Sequence, residues 1–422
     1  MKTVSLFEYN HVPKEGLTDE EVKTLLQLDP PLIDLDYSKG EIIPQNFVGV
    51  VRIGQTTVEI LPKIYKADDI AQNRNLVARN LLKMLDYSEF FDFREFEAST
   101  DLSTITDFDL LEIVVSIFAR RLLDTLQSQP HREYTTVEEV LGSVRGRIDF
   151  NRYTNPATMH RIPCVFNERT VDNTLNQTLR YVSHLLSGTV AVDTTFSRLR
   201  NIVEELDGVS LCPVDLQQVD GIVFNRLNEQ YKPYIDLCKL FLRDSGVTLQ
   251  HSSFETFTFV VPMEKLFEKF IATALELERN ILPGAKLRIQ PYIGPIAVRD
   301  NGRPLFEMKP DIIVEIGGRR FVVDTKYKII SGPSDIQEGD VYQMYAYASR
   351  CEADGVLLLY PNFGSPVVEE PSHLKLRVPP GYGRGDIDLF AGKVRFDYDL
   401  ISQWNDFIAD FSSLVHKALG LP

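Results

Sequence analysis

At 422 residues the chain is long enough for two or three domains, each with its own core, and 44% hydrophobic with 25% charged residues is the balance of an ordinary globular protein. The formal net charge of −15 argues against a protein that coats nucleic acid unaided, because nonspecific affinity rests on phosphate neutralisation by Lys and Arg. No stretch approaches the roughly 18 apolar residues of a membrane span, and Glu8 interrupts the start before a signal-peptide core can form, so cytoplasmic residence is expected.

Residues 1 to 65 read as β. Two β-branched runs between Phe47 and Ile64 flank Gly54-Gln55, which predicts a hairpin of a small sheet or barrel, with Pro62 ending the second strand. From about Ala67 the period changes to that of core helices, over Asn73 to Leu85 and Asp109 to Leu126, with a Phe-rich and acidic loop from Asp86 to Asp107 expected to pack across them. Gly146 stands between Arg145 and Arg147. That segment reads either as a surface loop with ordinary charges or as a flexible presentation of an arginine that reaches into another site. Asn173, Asn176 and Gln177 open a helix through Leu186, where amides cap or cross-link. Helical patterns continue over Phe196 to Leu206 and Tyr231 to Leu242, and a break follows at Val247 to Ser253. Cys164, Cys212, Cys238 and Cys351 lack CxxC spacing, so buried free thiols are expected.

The last segment opens on an amphipathic helix from Pro262, with Met263, Leu266, Phe267, Phe270, Ile271 and Ala274 on one side and Glu264 and Glu268 at its margin. Two apolar runs then flank Gly317-Gly318, a pair that accepts the positive φ of a two-residue hairpin turn. The register that follows sets Glu315 opposite Arg320, Ile313 opposite Val322 and Asp311 opposite Asp324, with Lys326 projecting from the same face as Asp324. Ile312, Val314, Ile316, Phe321 and Val323 make a buried face, and Ile313 and Val322 partly bury the face carrying the acids. Carboxylates directly opposite on such a pair stand roughly 5 Å apart and repel, so a cation must lie between them or one must take up a proton. The alternative is an edge ribbon with solvated charges. Beyond the hairpin, Asp340 is expected to cap a helix that places Gln343 and Tyr347 on one face, and Val356 to Pro361 reads as a central strand. From Lys286 to Ile330 nine Lys or Arg stand against five Asp or Glu, so the acidic chain is locally basic beside its paired acids.

Pro310-Asp311 followed by Asp324-Thr325-Lys326 in an α-β-β-α-β order is the pattern of PD-(D/E)xK metal-dependent nucleases. Together with Glu59-Ile-Leu-Pro-Lys63, Gly146-Arg-Ile-Asp-Phe150, the amide-rich helix start and Leu266-Phe-Glu268, the chain resembles the McrC family, the nuclease subunit of McrBC modification-dependent restriction systems. The Gln343 to Tyr347 element is also similar to the RecB-like branch of the nuclease superfamily. The resemblance implies an α+β multidomain protein. Residues 1–66 would be a β-rich subdomain, 67–250 a mainly helical partner-engaging region and 251–422 an α/β PD-(D/E)xK domain like that of restriction endonucleases. It implies Mg²⁺ held by Asp311, Asp324, the Thr325 carbonyl and Glu268, with Lys326 positioning the attacking water. Gln343, Tyr347 and Lys328 would contact DNA or support the site, and Arg145 or Arg147 would meet the partner. That partner is a McrB-like AAA+ GTPase hexamer, which binds the GTP and delivers double-stranded DNA carrying modified bases of the methylcytosine type. A non-catalytic subunit that only stimulates the GTPase is the competing reading. A stand-alone exonuclease fits the acidic net charge poorly.

Overall fold

The computed structural model describes residues 2–14, 16–28, 31–54, 56–62, 70–88, 110–128, 131–152, 160–243, 256–362, 371–377 and 385–421. The loop expected at Asp86 to Asp107 lies almost wholly outside them, and the break expected at Val247 to Ser253 lies entirely outside. The chain divides into two compact units, Met1–Phe108 with Val260–Pro422, and Asp109–Phe259. This differs from three consecutive segments, and side chains of the helix Ile70–Tyr87 show why. Buried Asn80 donates to the Phe396 and Tyr398 carbonyls and accepts from the Leu400 N–H, while Arg79 Nη2 lies 2.9 Å from Asp399 Oδ2. A helix early in the chain is thereby fastened to residues 396–400.

In the first unit, strands Lys2–Phe7, Thr56–Leu61, Phe47–Ile53 and Thr256–Pro262 form a sheet in that order. The hairpin pairs Ile53 with Thr56 around the expected turn. Leu6, Val51, Val58 and Ile60 from this sheet share a core with Val22 and Leu25 of the helix Asp19–Gln27, which starts at a Thr18–Glu21 capping box.

The second sheet has six strands in the order Lys286–Ile289, Ile312–Ile316, Arg319–Thr325, Gly355–Asn362, Ile387–Arg395, Ser372–Leu376. The three central pairings run as predicted for a hairpin followed by a crossover. Ile312–Ile316 and Arg319–Thr325 are antiparallel, and Gly355–Asn362 then lies parallel to both Arg319–Thr325 and Ile387–Arg395. Gly317 and Gly318 take φ of 58° and 77°, the left-handed values that a two-residue turn of this hand needs. The register sets Ile313 opposite Val322 and Glu315 opposite Arg320, as counted from the turn.

Helices cover both faces of this sheet. Met344, Tyr347 and Ala348 of the helix Glu338–Cys351 pack on Ile313, Val322, Val356 and Leu358. Ile313 and Val322 are 0% exposed, while Glu315 and Arg320 on the same face are half-buried, so that face is partly buried as expected. The helices Met263–Leu277 and Trp404–Leu419 pack on the sheet as well, and at Gly392 a Cβ would lie 3.0 Å from Leu414, close enough that a larger residue would push the helix away. Strand Gly355–Asn362 is buried along nearly its whole length, as its apolar run predicts.

In the second unit, strands Glu133–Leu141, Ile162–Thr170 and Arg147–Ile148 make an antiparallel sheet beside the helices Leu110–Ser128, Thr174–Ser187, Asp193–Glu205 and Lys232–Arg243. Asn173 caps its helix as expected, and Asn176 Nδ2 donates to the His131 and Val171 carbonyls. Gly146 departs from the expectation of a flexible loop. Its φ is 67° and a Cβ there would meet the Val165 carbonyl at 2.5 Å, so the turn is pressed onto the neighbouring strand. Arg145 stacks 4.0 Å over the Phe166 ring and pairs with Glu168 at 3.0 Å, while Arg147 is exposed on its strand.

Candidate active site

The hairpin ladder ends at Ile312 with Val323, and the next position on each strand is an acid. Asp324 is 2% exposed, one residue before the end of its strand. Asp311 has just left the ladder, and Thr325 holds it there. The Thr325 backbone N–H and hydroxyl both donate to Asp311 Oδ2, each at 2.7 Å. The third acid arrives from the helix Met263–Leu277. Glu268 comes into hydrogen-bonding contact with Asp311 and accepts from Gln290 Nε2 at 2.6 Å. Gln290 follows the edge strand Lys286–Ile289, donates its own N–H to the Asp311 carbonyl at 2.7 Å, and adopts a φ of 44°. A left-handed glutamine is a strained residue, and strain of this kind collects at sites that use it.

Three carboxylates in one partly dry space push each other's protons on. Burial, then the Asp311 charge, raises Asp324 to about 7 against the pull of Lys326. Burial raises Asp311 although Thr325 opposes it, and burial with the Asp311 charge raises Glu268. Two carboxylates in contact need a shared proton or a cation. The donors are all hard oxygens, which fits Mg²⁺ rather than a thiol- or imidazole-seeking metal.

Lys326 Nζ lies 2.6 Å from Asp324 Oδ2. Burial disfavours its charge, but Asp324 outweighs that and keeps the ammonium above its ordinary value. Its other contact is the Gln343 Oε1 at 2.9 Å; Gln343 Nε2 donates to the Tyr347 hydroxyl at 3.0 Å, and Tyr347 donates to the Lys309 carbonyl at 3.3 Å. The pair four apart on one helix face therefore braces the lysine. Lys328 is held by Asp340 at 3.0 Å and by Gln337 at 2.7 Å, which ties the end of the hairpin to the next helix. Asp340 is not the cap it was expected to be. The helix starts at Glu338 with Gln337 as N-cap, and Asp340 sits in the first turn, where the helix dipole favours an acid and Lys328 pairs with it. Behind the site, Tyr327 donates to Oε2 of fully buried Glu8 at 3.1 Å, so the turn that follows the strand Lys2–Phe7 is fastened to the residue after Lys326.

The structure thus brings Glu268, Asp311, Asp324, Thr325, Lys326, Gln343 and Tyr347 together, as the sequence pattern groups them. Arg145 and Arg147 belong to the other unit. Sequence reasoning misses Gln290 and the Thr325 side chain. Thr325 is visible only once its hydroxyl is seen to face Asp311, and Gln290 lies 21 positions before Asp311 in a stretch with no motif, so only strand pairing brings it in.

A family model described as "McrBC 5-methylcytosine restriction system component" matches residues 42–361. The chain belongs to this McrBC family. The matched span contains every acid of the candidate site. No curated protein matches the sequence. Among solved structures, the chain is similar to one in the refined half-complex from the tetradecameric assembly of Thermococcus gammatolerans McrB AAA+ hexamers with bound McrC. The TM-score is 0.69 at 18% identity, covering 98% of this chain and 99% of that one. It is also similar to a chain of the cryo-EM structure of the Thermococcus gammatolerans McrBC complex, with TM-score 0.50, 21% identity, and 68% and 90% covered. At these identities the likeness speaks to the fold, which is a mixed α/β multidomain one. Among the described residues no helix is long and apolar enough to cross a membrane.

Proposed function

We propose that this McrBC-family chain is the Mg²⁺-dependent DNA endonuclease subunit of a GTP-dependent, modification-dependent restriction complex, with a PD-(D/E)xK domain as its cutting unit. The observation that carries the reading is the convergence of Asp311, Asp324 and Glu268 with Lys326 2.6 Å from Asp324, at the mouth of one hairpin. Asp311, Asp324, Glu268 and the Thr325 carbonyl would hold the ion, which when bound supplies charge for the phosphate and lowers the pKa of water. The Thr325 N–H and hydroxyl fix Asp311, and Gln290 fixes Glu268. Lys326, braced by Gln343 and Tyr347, orients the attacking water or neutralises charge developing on the phosphate.

The reading includes a partner, a McrB-like AAA+ GTPase hexamer that binds GTP and brings double-stranded DNA carrying modified cytosine. The related solved assembly has McrC bound to McrB hexamers, and the net charge of −15 here fits a subunit to which DNA must be delivered. The test is Asp324→Ala in the reconstituted complex. Loss of Mg²⁺-dependent cleavage with GTPase stimulation intact supports the proposal. Undiminished cleavage would sink it in favour of a subunit that only stimulates the GTPase.

A further inference from the structure

Beside the acids runs a groove of about 660 Å³ between the exposed side of the helix Met263–Leu277 and the end of the edge strand Lys286–Ile289. Its lining begins where the candidate site ends, since Glu268 and Gln290 belong to both. Lys265, Lys269, Thr273 and Glu276 form its helical wall, spaced by four, four and three residues and so stacked along one stripe. Leu277 and Ile289, 58% and 40% exposed, give it an apolar edge.

We infer that this groove is the track for the DNA strand that leads to the scissile phosphate, with Lys265 and Lys269 on its phosphates. The inference rests on the nuclease reading and adds where the substrate lies. Two ammonium groups one helical turn apart, with a hydroxyl a turn further on, offer positive charge and a donor in a row. That row suits a repeating anion better than a single small one. The apolar edge suits sugar faces, which carry no charge. From Lys265 to Glu276 the stripe extends about 16 Å. Glu276 lies at the far end from the acids and marks where the track stops. The contact inferred for the two lysines is to phosphates, which carry no sequence information. That is appropriate if recognition of the modification resides in a partner.

The experiment uses the full chain assembled with its AAA+ partner. DNA binding is followed by anisotropy in a salt series, with Ca²⁺ in place of Mg²⁺ to hold the substrate uncut. Lys265→Gln/Lys269→Gln is expected to weaken binding equally on modified and unmodified duplexes and to flatten the salt dependence by about 1.8 in log–log slope per chain, at about 0.9 for each phosphate left without its ammonium. GTPase stimulation should be unchanged. In a second variant a photo-crosslinking residue replaces Thr273 and is expected to capture the DNA strand. An unchanged slope, or a Thr273 probe that captures protein or nothing, overturns the inference. The nuclease reading fails separately, on cleavage that survives Asp324→Ala.

Discussion

Asp324 ties the stability of the fold to pH. Its ordinary pKa of 3.8 is raised to about 7 by burial and by Asp311. Between those values the folded protein holds a proton that the unfolded chain has released, so stability falls as pH rises, the reverse of an acid that folding has paired favourably. A shift of about three units amounts to at most about 4 kcal/mol by pH 8, of which about 2.5 kcal/mol accumulates between pH 5 and pH 8. Urea unfolding of the metal-free protein at a series of pH values should show that decline, and Asp324→Asn should flatten it because the titrating group is gone. The variant also removes the partner of Lys326, so the difference in slope, rather than the absolute stability at one pH, is the quantity to compare. Adding Mg²⁺ at pH 8 should raise wild-type stability with the logarithm of its concentration above Kd and leave the variant much less changed. Equal pH slopes in the two proteins, or a wild type indifferent to Mg²⁺, would refute the argument that this cluster is held together by a cation.

Single residues elsewhere carry three more expectations. Gln290→Gly suits the φ of 44° but removes the amide from Glu268, so folding should be unharmed while the Mg²⁺ concentration needed for cleavage rises by about 10- to 100-fold in a metal titration. Asn80→Ala strands the Phe396 and Tyr398 carbonyls and the Leu400 N–H, and urea unfolding should report a destabilisation of about 2–4 kcal/mol. Gly146→Ala forces a Cβ to within 2.5 Å of the Val165 carbonyl at a left-handed φ, and calorimetry should show a destabilisation of at least about 2 kcal/mol, with Arg145 displaced from Phe166.

What can be read from the chain alone is what depends on near neighbours. Gly317-Gly318 dictates its own turn, and once the turn is known every pairing along the hairpin is arithmetic, which is how Asp311 and Asp324 can be set together in advance. Gln343 and Tyr347 share a helix face by spacing, and the apolar run at Val356 announces a central strand. What cannot be read depends on distant partners. Nothing local to Asn80 indicates that it clamps residues 396–400, and so the discontinuous first unit leaves no mark in the pattern. Gln290 has the same origin, and Asp340 escapes its expected role because capping propensity is a weak preference that the pairing with Lys328 overrides.

The surroundings of Lys326 bear on why this site would need a delivered substrate. Asp324 lies 2.6 Å from the lysine and Gln343 braces it from the other side, so before any metal arrives the ammonium is engaged with the acid rather than with a phosphate. Were Asp311, Asp324 and Glu268 to hold a divalent ion, its charge would replace part of what Lys326 compensates at Asp324, and the ammonium would be free to meet charge developing on a substrate. Tyr327, the next residue, is fastened to Glu8, which directly follows the strand Lys2–Phe7, so the backbone carrying Lys326 is held from behind. Loosening that support by Glu8→Ala should therefore lower kcat more than it raises KM. The groove formed by Lys265 and Lys269 would still hold the strand, and only the positioning of the lysine at the moment of cleavage would suffer.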